Sequence, residues 1–147
     1  MTSIEANKAV VERLFADDLS EPDRAAAARA ADQIVAPEFV DHTNPPELKH
    51  GLESHKTIVA LFRTSFPDMR WTIEDVVAEG DRVVARTTMR GTHRGEFFGI
   101  APTGREVVYP GIHILRLAGG KVAEHWGSND DLGLMRQLGA LGEPAMA

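Results

Sequence analysis

The chain gathers its chemically useful side chains between Gly111 and Asp131, where His113, His125, Trp126, Asn129 and Asp130 follow one another. Imidazole is the side chain that changes charge near neutral pH, and a carboxylate is its usual partner in general acid–base work. Proton transfer is therefore the chemistry that this group suggests. A metal centre is not expected. There is no cysteine, and the six histidines show no convincing three-ligand spacing.

These groups must be positioned by strands. Ile112, Ile114 and Leu115 suit a pleated surface, Ala118-Gly119-Gly120 interrupts the run, and Val122 to Trp126 resumes it. The turn decides which side chains meet, because a slip of one residue sends every side chain to the other face. A three-residue loop with Gly120 at positive φ puts His113 opposite His125, Gly111 opposite Gly127 and Tyr109 opposite Asn129. A two-residue Gly119-Gly120 turn instead puts His113 opposite Trp126 and brings Asp130 to its face. The first is favoured, because a glycine at the third loop position meets that turn's need for positive φ. Tyr109, His113, His125 and Asn129 then share the pocket face.

Helical periodicity covers residues 3–19, 23–35 and 51–66, with Pro37 ending the second helix and Pro67 the third. Phe62 lies on the apolar face of the third helix with Ile58, Leu61 and Phe66. Phe39-Val40-Asp41-His42 precedes a polar loop and reads as a pocket rim. His50 and His55, near the start of the third helix, read as exposed. After Pro67 the period changes to 2, giving strands over 71–78, 82–91, 106–117 and 121–129. A short helix over 132–141 closes the fold, and residues 142–147 read as frayed. Asp130 and Asp131 precede that helix, so capping competes with catalysis for them. The expected architecture is a single α+β domain. N-terminal helices pack on a strongly curved, mainly antiparallel sheet, forming a cone with an internal pocket.

The chain has 147 residues and a formal net charge of −6, which disfavours nucleic acid as a partner. No apolar run is long enough to span a membrane, and the N-terminus lacks a signal peptide's pattern, so a cytoplasmic protein is expected. The glycines of GTHRGEFFG lack the signature of a phosphate loop.

The segment GTHRGEFFGIAPTGREVVYPGIHILRLAGGKVAEHW, followed by LGLMRQLG, resembles the SnoaL-like polyketide cyclases, whose cone fold is shared with nuclear transport factor and ketosteroid isomerase. The resemblance implies a cofactor-free intramolecular aldol ring closure on a polyketide-like or other small hydrophobic substrate. It places the family's histidine at His113. The family's acid/base aspartate corresponds to Gly127, so the carboxylate falls to Asp130, with Asp41 as the alternative. Phe39, Asp41, His42, Phe62, Tyr109, His125 and Asn129 are then the substrate-binding candidates. The resemblance also implies a homodimer paired through the sheet's outer face, or a higher homo-oligomer. Two other outcomes stay open on this fold: a non-catalytic small-molecule binder, and a dehydratase, isomerase or hydroxylase.

Overall fold

The computed structural model describes residues 3–141; the fraying expected for 142–147 lies outside the described residues. Helix α1 (Ile4–Arg13) starts at Ser3, whose side chain accepts a hydrogen bond from the Ala6 N–H. The periodicity predicts one regular helix to residue 19. The structure instead widens into a π-helical segment over Leu14–Leu19, burying Leu14, Phe15 and Asp18. Helix α2 (Arg24–Ile34) is capped by Asp23 and buries Ala27, Ala31 and Ile34.

Strand β1 (Val35–Asp41) follows α2 directly and contains Pro37. Sequence periodicity misses this strand, because a proline reads as a helix stop. Here it is tolerated because β1 lies at the sheet edge, where a missing N–H breaks no ladder. Helix α3 (Leu52–Ser65) buries His55, Val59, Arg63 and Ser65. Its face is turned from the expected one: Leu61 is exposed, and His55, expected at the surface, is only 6% exposed.

Strands β2 (Arg70–Glu79), β3 (Arg82–Thr92), β4 (Glu106–Ala118) and β5 (Lys121–Asn129) form the meander, and α4 (Asp131–Gln137) closes it. The sheet order is β1-β5-β4-β3-β2, with β1 parallel to β5 and the other pairs antiparallel. The helices pack on one face of this open, curved sheet, giving the expected α+β cone.

Neither expected register of the β4–β5 hairpin holds. Gly119 and Gly120 both take positive φ, so they close a two-residue turn with Ala118 opposite Lys121. Ala123 is then an extra residue, and Arg116 pairs with Glu124. Beyond this bulge His113 faces Gly127, and Gly111 faces Asn129. The bulge restores what the tight turn would have lost. Without it His113 would face Trp126, and His125 would point to the opposite side of the sheet.

Two packed clusters form the core. One surrounds Val11, Phe15, Ile34 and Leu115; the other surrounds Phe66, Met89, Val107 and Leu134. A cavity draws its walls from both.

Candidate active site

The cavity has a volume of about 120 Å³, and its walls are mainly apolar. Leu14, Phe15 and Leu19 come from the N-terminal helical stretch, Val35 and Phe39 from β1, and Ile58, Val59 and Phe62 from α3. Trp71, Tyr109, His113, His125 and Asn129 come from the sheet.

A chain of hydrogen bonds crosses its sheet wall. Asp41 ends β1, which lies beside β5, and its Oδ1 is 2.9 Å from His125 Nδ1. His125 Nε2 is 2.8 Å from His113 Nδ1, and the two rings stack with centroids 5.1 Å apart. Asp41 Oδ1 also accepts from the backbone N–H and the hydroxyl of Thr43, at 2.9 and 2.5 Å. Burial pushes the Asp41 carboxyl up, but the hydrogen bond and charge of His125 and the bonds from Thr43 outweigh it. The carboxyl is held below its ordinary range. His113 moves the other way for an imidazole: burial, and then the neighbouring His125, push it down to about 3. At neutral pH His113 is therefore uncharged.

The network assigns the tautomers. An ionised Asp41 only accepts, so His125 Nδ1–H donates to it, and in the neutral imidazole Nε2 is left as an acceptor. His113 Nδ1–H then donates to His125, and His113 Nε2 carries a free lone pair. That Nε2 is buried without a partner, as are Trp71 Nε1 and Asn129 Oδ1, two further atoms of cavity-lining residues. Buried polar atoms are nearly always satisfied. Three such atoms belong to residues that line one cavity.

The cavity brings together most residues singled out from sequence: Phe39, Asp41, Phe62, Tyr109, His113, His125 and Asn129 all line it. His42 does not. It stacks on Trp126 and pairs with Glu124 at 2.7 Å, away from the cavity lining. Asp130 does not line it either. Its carboxylate caps α4 by accepting from the Gly133 N–H at 2.9 Å. The carboxylate expected to act is thus occupied, and Asp41, distant in sequence, reaches the histidines across the β1–β5 pairing. The Tyr109 hydroxyl donates to Asp131; burial and that carboxylate together push the phenol above its usual range.

Sequence reasoning did not single out Trp71, His55 or Asp18 for the site. His55 falls four residues before Val59 and three before Ile58, and Asp18 falls three after Phe15 and four after Leu14. Both sit on apolar stripes, which was the available signal. Among the described residues, no group of three or more His, Asp or Glu is placed to hold a metal ion. Nor is any described helix long and apolar enough to cross a membrane.

Comparison with known proteins matches residues 9–138 to the SnoaL-like polyketide cyclase family. The chain is 31% identical to nogalonic acid methyl ester cyclase of Streptomyces nogalater over 114 residues, 74% of this chain and 82% of the relative. It is 35% identical to aklanonic acid methyl ester cyclase AcmA of Streptomyces galilaeus over 111 residues, 71% of this chain and 74% of the relative. Among solved structures it superposes on TsrD from Streptomyces laurentii with a TM-score of 0.85 and 31% identity, covering 96% of this chain and 100% of the other.

Proposed function

Since the chain belongs to the SnoaL-like polyketide cyclase family, we propose that it closes a ring in the methyl ester of a polyketide acid by an intramolecular aldol reaction. The observation that carries the proposal is the Asp41–His125–His113 chain, ending in an unpartnered Nε2 at an apolar cavity.

A lone imidazole held near 3 would be a poor base for a carbon acid. The pair is a better one. As His113 Nε2 takes the substrate's α-proton, its Nδ1 proton passes to His125 Nε2. The positive charge then settles on His125 beside the ionised Asp41, and His113 stays neutral. The base is the coupled pair, and Asp41 sets its direction. This arrangement supplies a carboxylate to the reaction although residue 127 is glycine.

The enolate left behind needs a donor at its oxygen. Trp71 Nε1–H is buried and unpartnered, and the indole stands edge-on to His113 with centroids 5.9 Å apart. Against an apolar wall, such a preset donor stabilises developing charge without reorganisation. The enolate carbon then attacks a ketone carbonyl of the same substrate, forming the new C–C bond and an alkoxide. The chain's own groups suffice for these steps.

The test is turnover of nogalonic acid methyl ester, followed by chromatography of the ring-closed product. Wild type is expected to turn it over. His113→Gln should lower turnover by about 10²–10⁴-fold, the usual worth of a general base. Asp41→Asn should lower it as well, because a carboxamide cannot stabilise the charge on His125. Binding without turnover in wild type would favour the non-catalytic reading, which Gly127 supports.

A further inference from the structure

A second imidazole–carboxylate pair lies on the helical side of the cavity. His55 Nε2 is 2.6 Å from Asp18 Oδ2, with the two side chains only 7% and 3% exposed. We infer that His55, held by Asp18, is the acid that protonates the alkoxide formed on ring closure, across the cavity from the base. This inference rests on the ring-closure reading above.

The first support is position. His55 lines the cavity from α3, among Leu14, Leu19, Ile58 and Val59, so it is the polar exception in an apolar wall. A ligand's polar group directed at that wall meets His55. The second is orientation. Phe39 packs edge-on against the imidazole at 5.5 Å, and Asp18 holds Nε2. Nδ1 has no hydrogen-bond partner among the described residues and is the nitrogen left for a ligand. When His55 is protonated, Nδ1 is a donor.

The third is the construction around Asp18. The helix leaves regular α geometry over Leu14–Leu19, and Asp18 is buried within that widened segment. Such segments often mark functional sites. Arg63 secures the segment's end by donating from Nη2 to the Asp18 and Leu19 carbonyl oxygens at 2.9 and 3.4 Å. The fourth is a route for protons. Asp18 lines a separate groove between α2 and α3, with Arg24, Lys56 and Arg63, and His55 lines the reaction cavity. The pair therefore bridges cavity and groove, and an acid that gives up a proton each turnover can regain one from solvent there.

The balance closes. His113 takes a proton from the α-carbon, the C–C bond forms, and the carbonyl π pair becomes the alkoxide lone pair. His55 Nδ1–H then protonates that oxygen. His55 recovers a proton from solvent, and the His113–His125 pair releases one.

The two halves of the reaction separate in D₂O. Wild type with nogalonic acid methyl ester is scored by mass spectrometry for deuterium at the α-carbon of recovered ester and for ring-closed product. His113→Gln should lose both. His55→Gln should keep deuterium uptake while closure falls about 10²–10⁴-fold. His55→Phe should behave alike and guards against a fold defect of the first variant. Asp18 is a positioning residue, so Asp18→Asn should lower closure and spare exchange, whereas a merely structural pair would lower both together. A parallel fall in exchange and closure, or closure unchanged, overturns the assignment. The absence of both exchange and closure in wild type overturns the ring-closure reading itself. A measurement without substitution completes the test. In protein labelled with ¹⁵N-histidine, the His55 Nδ1 resonance should shift when the ester binds, and an unmoved resonance overturns the assignment.

Discussion

Gly127 is the smallest residue of the candidate site and has the least freedom to change. A Cβ there would lie 3.0 Å from His113 Nδ1 and 3.1 Å from His125 Nε2, the two atoms of the central hydrogen bond. Gly127 faces His113 rather than the expected Gly111, and the space over Gly111 is taken by Asn129, whose Oδ1 a Cβ there would meet at 1.8 Å. A side chain at 127 and the imidazole pair are thus alternative occupants of one space. Gly127→Ala should part the rings by a few tenths of an ångström. Turnover of nogalonic acid methyl ester should fall roughly tenfold, since a 1 Å misplacement can cost about 10²-fold, while the thermal melt barely moves. Unchanged turnover would show that the His113–His125 bond is dispensable. At this scale the sequence was informative about His113, His125 and Asp41, whose types advertise proton transfer. It was silent on Asp18 and read His55 as exposed, where the fold buries it. A polar residue on an apolar stripe reads as a surface residue until its partner, here 37 positions away, is known.

At the scale of elements, the site depends on two irregularities that local propensity does not specify. The Ala123 bulge sets the parity of β5, and the edge strand β1 carries Asp41 to it. The glycine pair announced a turn, but its length and the bulge together fix the register, and only packing of the inner face selects the bulge. Strand β1 was hidden by Pro37 and by pairing with a segment more than 80 residues later, as in Asp41↔His125. The meander strands and α3 were legible because their periods are clean. Element ends also separate capping from catalysis. Asp130 Oδ1 satisfies the Gly133 N–H at the start of α4. Asp130→Ala should therefore cost about 1 kcal/mol of stability, the usual worth of a cap, seen as a lower urea midpoint. Turnover at a temperature well below the melt should be unchanged; a loss of turnover at full stability would return Asp130 to the reaction.

For the whole molecule, the two faces of the sheet have different fates. On the face away from the cavity, Val77, Val84, Ile114 and Trp126 form one cross-strand row, with Val77 62% exposed. Neighbouring charges on that side pair internally, as in Arg86–Asp75 and Arg116–Glu124. A second copy of the chain is the expected occupant. Sedimentation velocity should give a dimer for wild type and a monomer for Ile114→Glu; a monomeric wild type would end that expectation. The inner face has a different consequence, because its buried histidine ties folding to pH. In the unfolded chain His113 takes up a proton near pH 6.5; in the fold, burial and then His125 delay this until about 3. Above about pH 6.5 both states are neutral there, and His113 adds no pH dependence. Between 6.5 and 3 the unfolded chain binds a proton that the native state refuses. Stability therefore falls with falling pH, by about 1.4 kcal/mol per unit for one proton. Asp41 acts lower on the scale. Its stabilisation is present above its unfolded value of 3.8 and is lost as pH falls through its lower folded value. His113→Phe removes the first contribution and keeps an aromatic ring against Phe15 and Trp71, which both pack on the imidazole. Urea midpoints from about pH 7 down to about pH 4.5 should fall more steeply for wild type than for His113→Phe, with the curves converging or crossing as acid is added. Parallel curves would mean that His113 protonates as readily in the fold as out of it, and the neutral imidazole on which the relay depends would be lost with them.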